Sequence, residues 1–77
     1  MVYFHAALAR CGDADAKVAL QADLHHADPA IRVYAAEFCG QAQISAAIPA
    51  LTQLLEDDNL DVRIRAAQSL LALSKEA

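Results

Sequence analysis

Shifted by 31 residues, this sequence falls on itself. Setting Arg32 on Arg63 brings Ala19 onto Ala50, Leu20 onto Leu51, Leu24 onto Leu55 and Ala35-Ala36 onto Ala66-Ala67. Ile31 meets Val62. Further back, Val2-Tyr3 falls on Val33-Tyr34, and Leu8 on Cys39 and Leu70. A period of this size, keeping identities and apolar spacing together, marks stacked units that bury their apolar faces against one another.

Each unit reads as a helical hairpin, most plainly in the stretch from Ser45 to Ala77. Ala47, Ile48, Leu51, Leu54 and Leu55 make one stripe at helical spacing, and Val62, Ala66, Leu70 and Leu73 make the next. The polar break Glu56-Asp57-Asp58-Asn59 separates them, with Ser45 and Asn59 as the expected N-caps. Upstream, a helix from about Ala14 to His26 carries Ala16, Leu20, Leu24 and Ala27, capped by Asp13. Asp28-Pro29 opens another, which continues to about Ala42 and buries Ile31, Ala35, Phe38, Cys39 and Ala42. A first helix runs from about Val2 to Cys11 and stops at Gly12. Pro49 lies in the first turn of its helix, where a missing amide costs least. There is no strand signal. The expectation is an all-α fold of five helices in one domain, with 1–12 the second helix of an incomplete unit and 13–43 and 44–77 complete ones.

Composition removes several functions. A net charge of −4 lacks the clustered Lys and Arg that a phosphate-backbone binder needs, so nucleic acid is not an expected partner. No apolar run reaches the roughly 18–20 residues that span a membrane, and Met1-Val2-Tyr3-Phe4 does not begin a signal peptide. Cys11 and Cys39 both fall on core stripes, as buried reduced thiols that fit a cytoplasmic location. In 77 residues only roughly 60% of the unfolded surface is buried, so an independent core is marginal. The first helix has no upstream partner, and is expected to be either a cap or the cut end of a longer array. The piece is accordingly expected to self-associate through an end or to sit in a longer chain.

No constellation here carries chemistry. Adjacent helical residues point about 100° apart, so His25 and His26 do not share a metal. Glu56-Asp57-Asp58 lacks the alternating ligands and glycine of a calcium loop. Both cysteines occupy positions where sister units place Ala or Leu, which is a core setting rather than that of a nucleophile. Gly40 lies mid-helix and is expected to admit a close helix neighbour. No catalytic residue, cofactor or metal site is expected.

Asp28-Pro29-Ala30-Ile31-Arg32, Ala35-Ala36-Glu37 and Gly40 resemble the second helix of a HEAT-like repeat of the phycobilin-lyase type. Ala47-Ile48-Pro49-Ala50-Leu51 resembles the start of that repeat's first helix, and Arg10-Cys11-Gly12-Asp13 a junction between repeats. The resemblance implies a right-handed α-solenoid of antiparallel helix pairs, about two and a half repeats long, whose second helices line a concave face. It also implies that Asp57 pairs with Arg63 or a neighbouring arginine, an aspartate that His26 replaces one repeat earlier. The function implied is a non-catalytic scaffold binding another protein or a second copy of the chain. The alternative is a component of a bilin lyase or another enzyme-associated subunit.

With Ala35 at the centre of the buried face, Val33, Glu37 and Gly40 point the opposite way, joined in register by Val2, Ala6 and Ala9 and by Ile64, Gln68 and Leu71. Val2, Val33 and Ile64 form an apolar ladder flanked by Tyr3 and Tyr34. The expected partner surface is therefore Val2, Tyr3, Val33, Tyr34, Glu37, Ile64, Gln68 and Leu71.

Overall fold

The computed structural model describes residues 14–75, with side chains through Ser74. The helix expected over 2–11, with Gly12, Asp13, Val2 and Tyr3, lies outside the described residues. Four α-helices follow: α1 (Ala14–Asp23), α2 (Pro29–Gln41), α3 (Ile48–Leu54) and α4 (Leu60–Lys75). Among the described residues there is no strand.

Local chemistry sets the helix starts. Asp28 is extended, at φ −81° and ψ 118°, and its Oδ1 accepts the Ala30 amide at 2.9 Å, with Pro29 next in the chain. Asn59 accepts the Val62 amide at 3.2 Å and so caps α4. Ser45 is not a cap. The chain is already winding there as a 3₁₀ turn (Ser45–Ala47), and no side chain caps α3 at Ala47. The Ala47 amide reaches the Ile44 carbonyl at 3.0 Å, so the turn meets a need that a capping hydroxyl would otherwise fill.

α2 ends in a Schellman turn. The Ile44 amide returns to the Cys39 carbonyl at 3.0 Å and the Gln43 amide to Gly40 at 3.2 Å, while Gln43 takes a left-handed φ of 56°. The turn delivers Ile44 into the core beside Cys39. A non-glycine residue in this conformation costs about 1 kcal/mol. Gln43→Gly is therefore expected to raise stability by up to about 1 kcal/mol in urea denaturation.

The two hairpins turn alike. At Leu24, His25 and His26 the amides bond back three residues, to Gln21, Ala22 and Asp23. Leu55, Glu56 and Asp57 do the same to Thr52, Gln53 and Leu54, one period later. This tightening ends α1 at Asp23 rather than at His26. It also throws Ala27 off its expected core stripe and leaves it exposed. Leu55, expected in the core, is exposed too, although its counterpart Leu24 in the same kind of turn is fully buried. Ile48, at the joint between the 3₁₀ turn and α3, is exposed as well.

α2 and α4 pack side by side, with α1 against α2 and α3 against α4. Leu20, Leu24, Leu51, Val62 and Cys39 are the largest fully buried side chains. Leu70, expected in the core, is only partly buried. Burial, with the Asp23 charge adding to it, pushes the Cys39 thiol up to about 12, so it stays protonated and unreactive at neutral pH.

An ion pair staples the first hairpin to the second. Arg32 Nη2 donates to Asp57 Oδ1 at 3.2 Å, and Nε lies 3.1 Å from Oδ2. The two side chains are only 15% and 12% exposed. The Arg32 Nη1 donates to the carbonyls of His26 and Ala27, at 2.8 and 3.1 Å. The Arg63 Nη1 donates to the Asp57 carbonyl at 2.7 Å, so the aspartate's side chain serves the neighbouring repeat's arginine and its backbone serves its own. In the first hairpin His26 keeps the local half of the aspartate's role. Its Nδ1 accepts the Asp28 amide at 3.0 Å, as Asp57 Oδ1 accepts that of Asn59 at 2.9 Å.

Burial works upward on the Asp57 carboxyl, but the Asn59 amide and the Arg32 guanidinium outweigh it and hold the group below its ordinary value of 3.8. A depressed folded-state value contributes stability that is complete above the unfolded value and is lost as pH falls through the folded one. Asp57→Asn keeps the bond to the Asn59 amide and loses the charge. It is expected to cost about 1–2 kcal/mol at pH 7, below the full range for charged hydrogen bonds because the pair is partly screened. The gap to the parent protein should close as pH drops below 3.8, read by denaturation at several pH values.

Candidate functional site

Where α2 and α4 run side by side they leave a seam open to one surface, and this seam is the candidate site. Its first half, about 240 Å³, is lined by Ala30, Val33, Tyr34 and Glu37 of α2 and by Asp61 and Arg65 of α4. The second half, about 200 Å³, is lined by Glu37, Gly40 and Gln41 facing Arg65, Gln68, Ser69 and Ala72. Glu37 and Arg65 line both halves. Their 3.9 Å ion pair bridges the groove, and Arg65 also donates to Gln68 Oε1 at 3.3 Å. Both side chains are substantially exposed, so the bridge is screened and opens at little cost.

Gly40 sets the floor of the second half. A Cβ placed there would lie 2.7 Å from Ser69 Oγ, 2.9 Å from its Cβ and 3.0 Å from its Cα. The missing side chain brings the helices close enough for the Ser69 hydroxyl, itself buried, to donate to the Ala36 carbonyl. Tyr34 stands at the rim of the first half, its ring stacked on Phe38 at 6.4 Å between centroids.

The expected partner surface divides in two. Val33, Tyr34, Glu37 and Gln68 line the groove, while Ile64 and Leu71 are exposed on α4 but do not line it. Val2 and Tyr3 lie outside the described residues. Val33 packs partly against the core, so the Val33-to-Ile64 ladder is not a uniformly open strip. Arg65, Asp61 and Ser69 escaped the sequence reading. One signal was available, since Asp61 and Arg65 stand four residues apart on one helical face. Their meeting with Glu37 across the seam depends on which faces of α2 and α4 touch, and no single helix encodes that.

Among the described residues, Cys39 is a buried protonated thiol, and no group of three metal-ligating side chains is present. No helix among them is long and apolar enough to cross a membrane. Two halves lined by aromatic, apolar and oppositely charged side chains suit noncovalent contact with another surface.

A family model described as HEAT repeats matches residues 5–72. A search of curated proteins found no match, nor did a search of solved structures. The matched span covers α1, α2, α3 and most of α4, and with them the paired helices whose turns and arginine bonds recur one period apart. The chain belongs to the HEAT-repeat family.

Proposed function

We propose that the chain is a noncatalytic protein-interaction module and that the groove between α2 and α4 receives the partner, as the concave face of a short right-handed solenoid. HEAT repeats commonly mediate protein–protein contact, and the family match supports that general role here. The observation that carries the assignment of the site is the groove itself. It combines the aromatic rim of Tyr34, apolar Ala30 and Val33, and a Glu37–Arg65 bridge weak enough to exchange for contacts with a partner. The net charge of −4 favours a protein over nucleic acid, and the free buried thiol of Cys39 suits a reducing, cytoplasmic setting.

The test places a photo-crosslinking side chain at Gln68, in the groove, or at Thr52, exposed on α3. A protein captured from Gln68 and not from Thr52 is then purified. Its affinity should fall about tenfold on Tyr34→Ala or Arg65→Ala, the usual effect of losing an aromatic or arginine anchor. Undiminished affinity in both variants would reject the groove as the docking surface.

A further inference from the structure

Across the 31-residue register the two repeats agree at packed positions and differ along the groove. Arg32 and Arg63, Ala35 and Ala66, and Ala36 and Ala67 are identical pairs. Among the residues that line the groove, Ala30 answers to Asp61, Tyr34 to Arg65 and Glu37 to Gln68. Stacking one repeat on another does not call for an acid at Asp61, since Ala30 holds that place one repeat earlier. The first half of the groove thus combines a ring from one repeat with a carboxylate from the next, at positions that are not equivalent.

The charge of this half is unbalanced. Glu37, Asp61 and Arg65 are its charged side chains. Arg65 turns to Glu37, at 3.9 Å, and to Gln68, at 3.3 Å. That leaves the exposed Asp61 carboxylate with no hydrogen bond or ion pair among the described residues. The start of a helix favours an acid in its first turn but brings no cation to it. The same half presents the Tyr34 ring, 38% exposed, and the apolar wall of Ala30 and Val33. Its space, about 240 Å³, is below the roughly 300–1,000 Å³ of a small-molecule site and suits one long side chain.

With the groove as the docking surface proposed above, we infer that its first half receives an arginine side chain of the partner, the guanidinium paired with Asp61 and laid on the Tyr34 ring. A guanidinium meets both demands, because its flat face packs on an aromatic ring while its edge donates to a carboxylate. The methylene stem lies along Ala30 and Val33. Glu37 balances Arg65 where the two halves meet, so the resident arginine does not repel the incoming one. The chain's net charge of −4 draws the same cation towards the surface.

The test needs no captured partner. The isotopically labelled full chain is titrated with acetyl-Ala-Arg-Ala-amide and with its citrulline counterpart, which keeps the shape and lacks the charge, and amide chemical shifts are followed. The arginine peptide is expected to shift the amides of Tyr34, Glu37 and Asp61. It should bind about fivefold more tightly than the citrulline peptide, the scale of one exposed charge pair. Asp61→Asn should erase that preference. Asp15→Asn, which removes the same charge from the first turn of α1, should leave it intact. Both variants change exposed side chains, so each is expected to melt as the parent does. Equal affinity for the two peptides, a preference that survives Asp61→Asn, or one lost equally in Asp15→Asn would each overturn the proposal. A lysine peptide that bound as tightly as the arginine one would overturn the choice of a guanidinium. The captured partner separates the arginine from the groove itself. Loss of its affinity on Tyr34→Ala or Arg65→Ala, but not on Asp61→Asn, would reject the arginine and leave the groove as the docking surface.

Discussion

Leu51→Ala is expected to lower the unfolding free energy by about 2–5 kcal/mol, the range for a buried leucine whose cavity does not collapse. Leu51 is fully buried on α3, in the same core cluster as Leu54 and Val62. For a chain of 77 residues the whole stability is about 4–12 kcal/mol, so this one side chain carries a large share. Urea denaturation followed by circular dichroism reads the loss. Leu71→Ala is the control, because Leu71 is mostly exposed and a surface change of this kind stays within about 0.5 kcal/mol. Leu70→Ala should fall between them, since Leu70 is only partly buried. If Leu51→Ala and Leu71→Ala had equal effects, the assignment of inner and outer faces would be wrong.

Much of this fold was legible because its signals are local. Asp28-Pro29 and Asn59 fix two helix starts within three residues of chain, each side chain accepting an otherwise unpaired amide of the first turn. The spacing of Leu20, Leu24, Leu51, Leu54 and Val62 placed the core for the same reason. Ser45 and Ile48 read differently because their setting depends on turn geometry. A Schellman turn with Gln43 at positive φ carries no glycine signature, yet it determines how the chain enters α3. Leu55 matches Leu24 in sequence and still ends exposed, because burial depends on which hairpin has a neighbour.

The candidate site was legible only in part, for a related reason. Taking Ala35 as the centre of one buried face sent Val33, Glu37 and Gly40 to the opposite side, as though that side met solvent. In the structure α2 is packed between α1 and α4, so its opposite side is the seam with α4. Val33 and Gly40 belong to the walls and floor of that seam, and Glu37 to its charged bridge. A single helical wheel distinguishes two faces. A helix in the middle of a stack has three environments: two packed sides and the groove edge between them. Arg65, which completes the bridge, belongs to the other helix and was visible only as a scattered charge.

Gly40→Leu is the sharper test of that seam, and the residue is the one that the register itself offers, since Leu71 stands at the matching position. At Gly40 even a Cβ meets Ser69 Cβ at 2.9 Å and Ser69 Cα at 3.0 Å, and a backbone carbon does not swing aside as a flexible side-chain end does. Accommodation therefore requires α4 to move away from α2, which also breaks the bond from Ser69 to the Ala36 carbonyl. Overpacking of this kind costs about 1–3 kcal/mol, and a lost buried hydrogen bond adds about 1. Leucine is the better helix former by about 1 kcal/mol, which offsets part of the loss. The net expectation is a destabilisation of roughly 1–3 kcal/mol, with Gly40→Ala showing a smaller loss of the same sign. Introducing Ser69→Gly beside Gly40→Ala should recover some of that stability by removing the crowding Oγ and Cβ atoms. The backbone carbon of residue 69, 3.0 Å away, stays in place and keeps the rescue incomplete. Urea midpoints of the three variants decide the matter. Were Gly40→Ala to stabilise the protein, helix propensity would outweigh the crowding and the close approach of α2 and α4 would not be what holds the groove in shape.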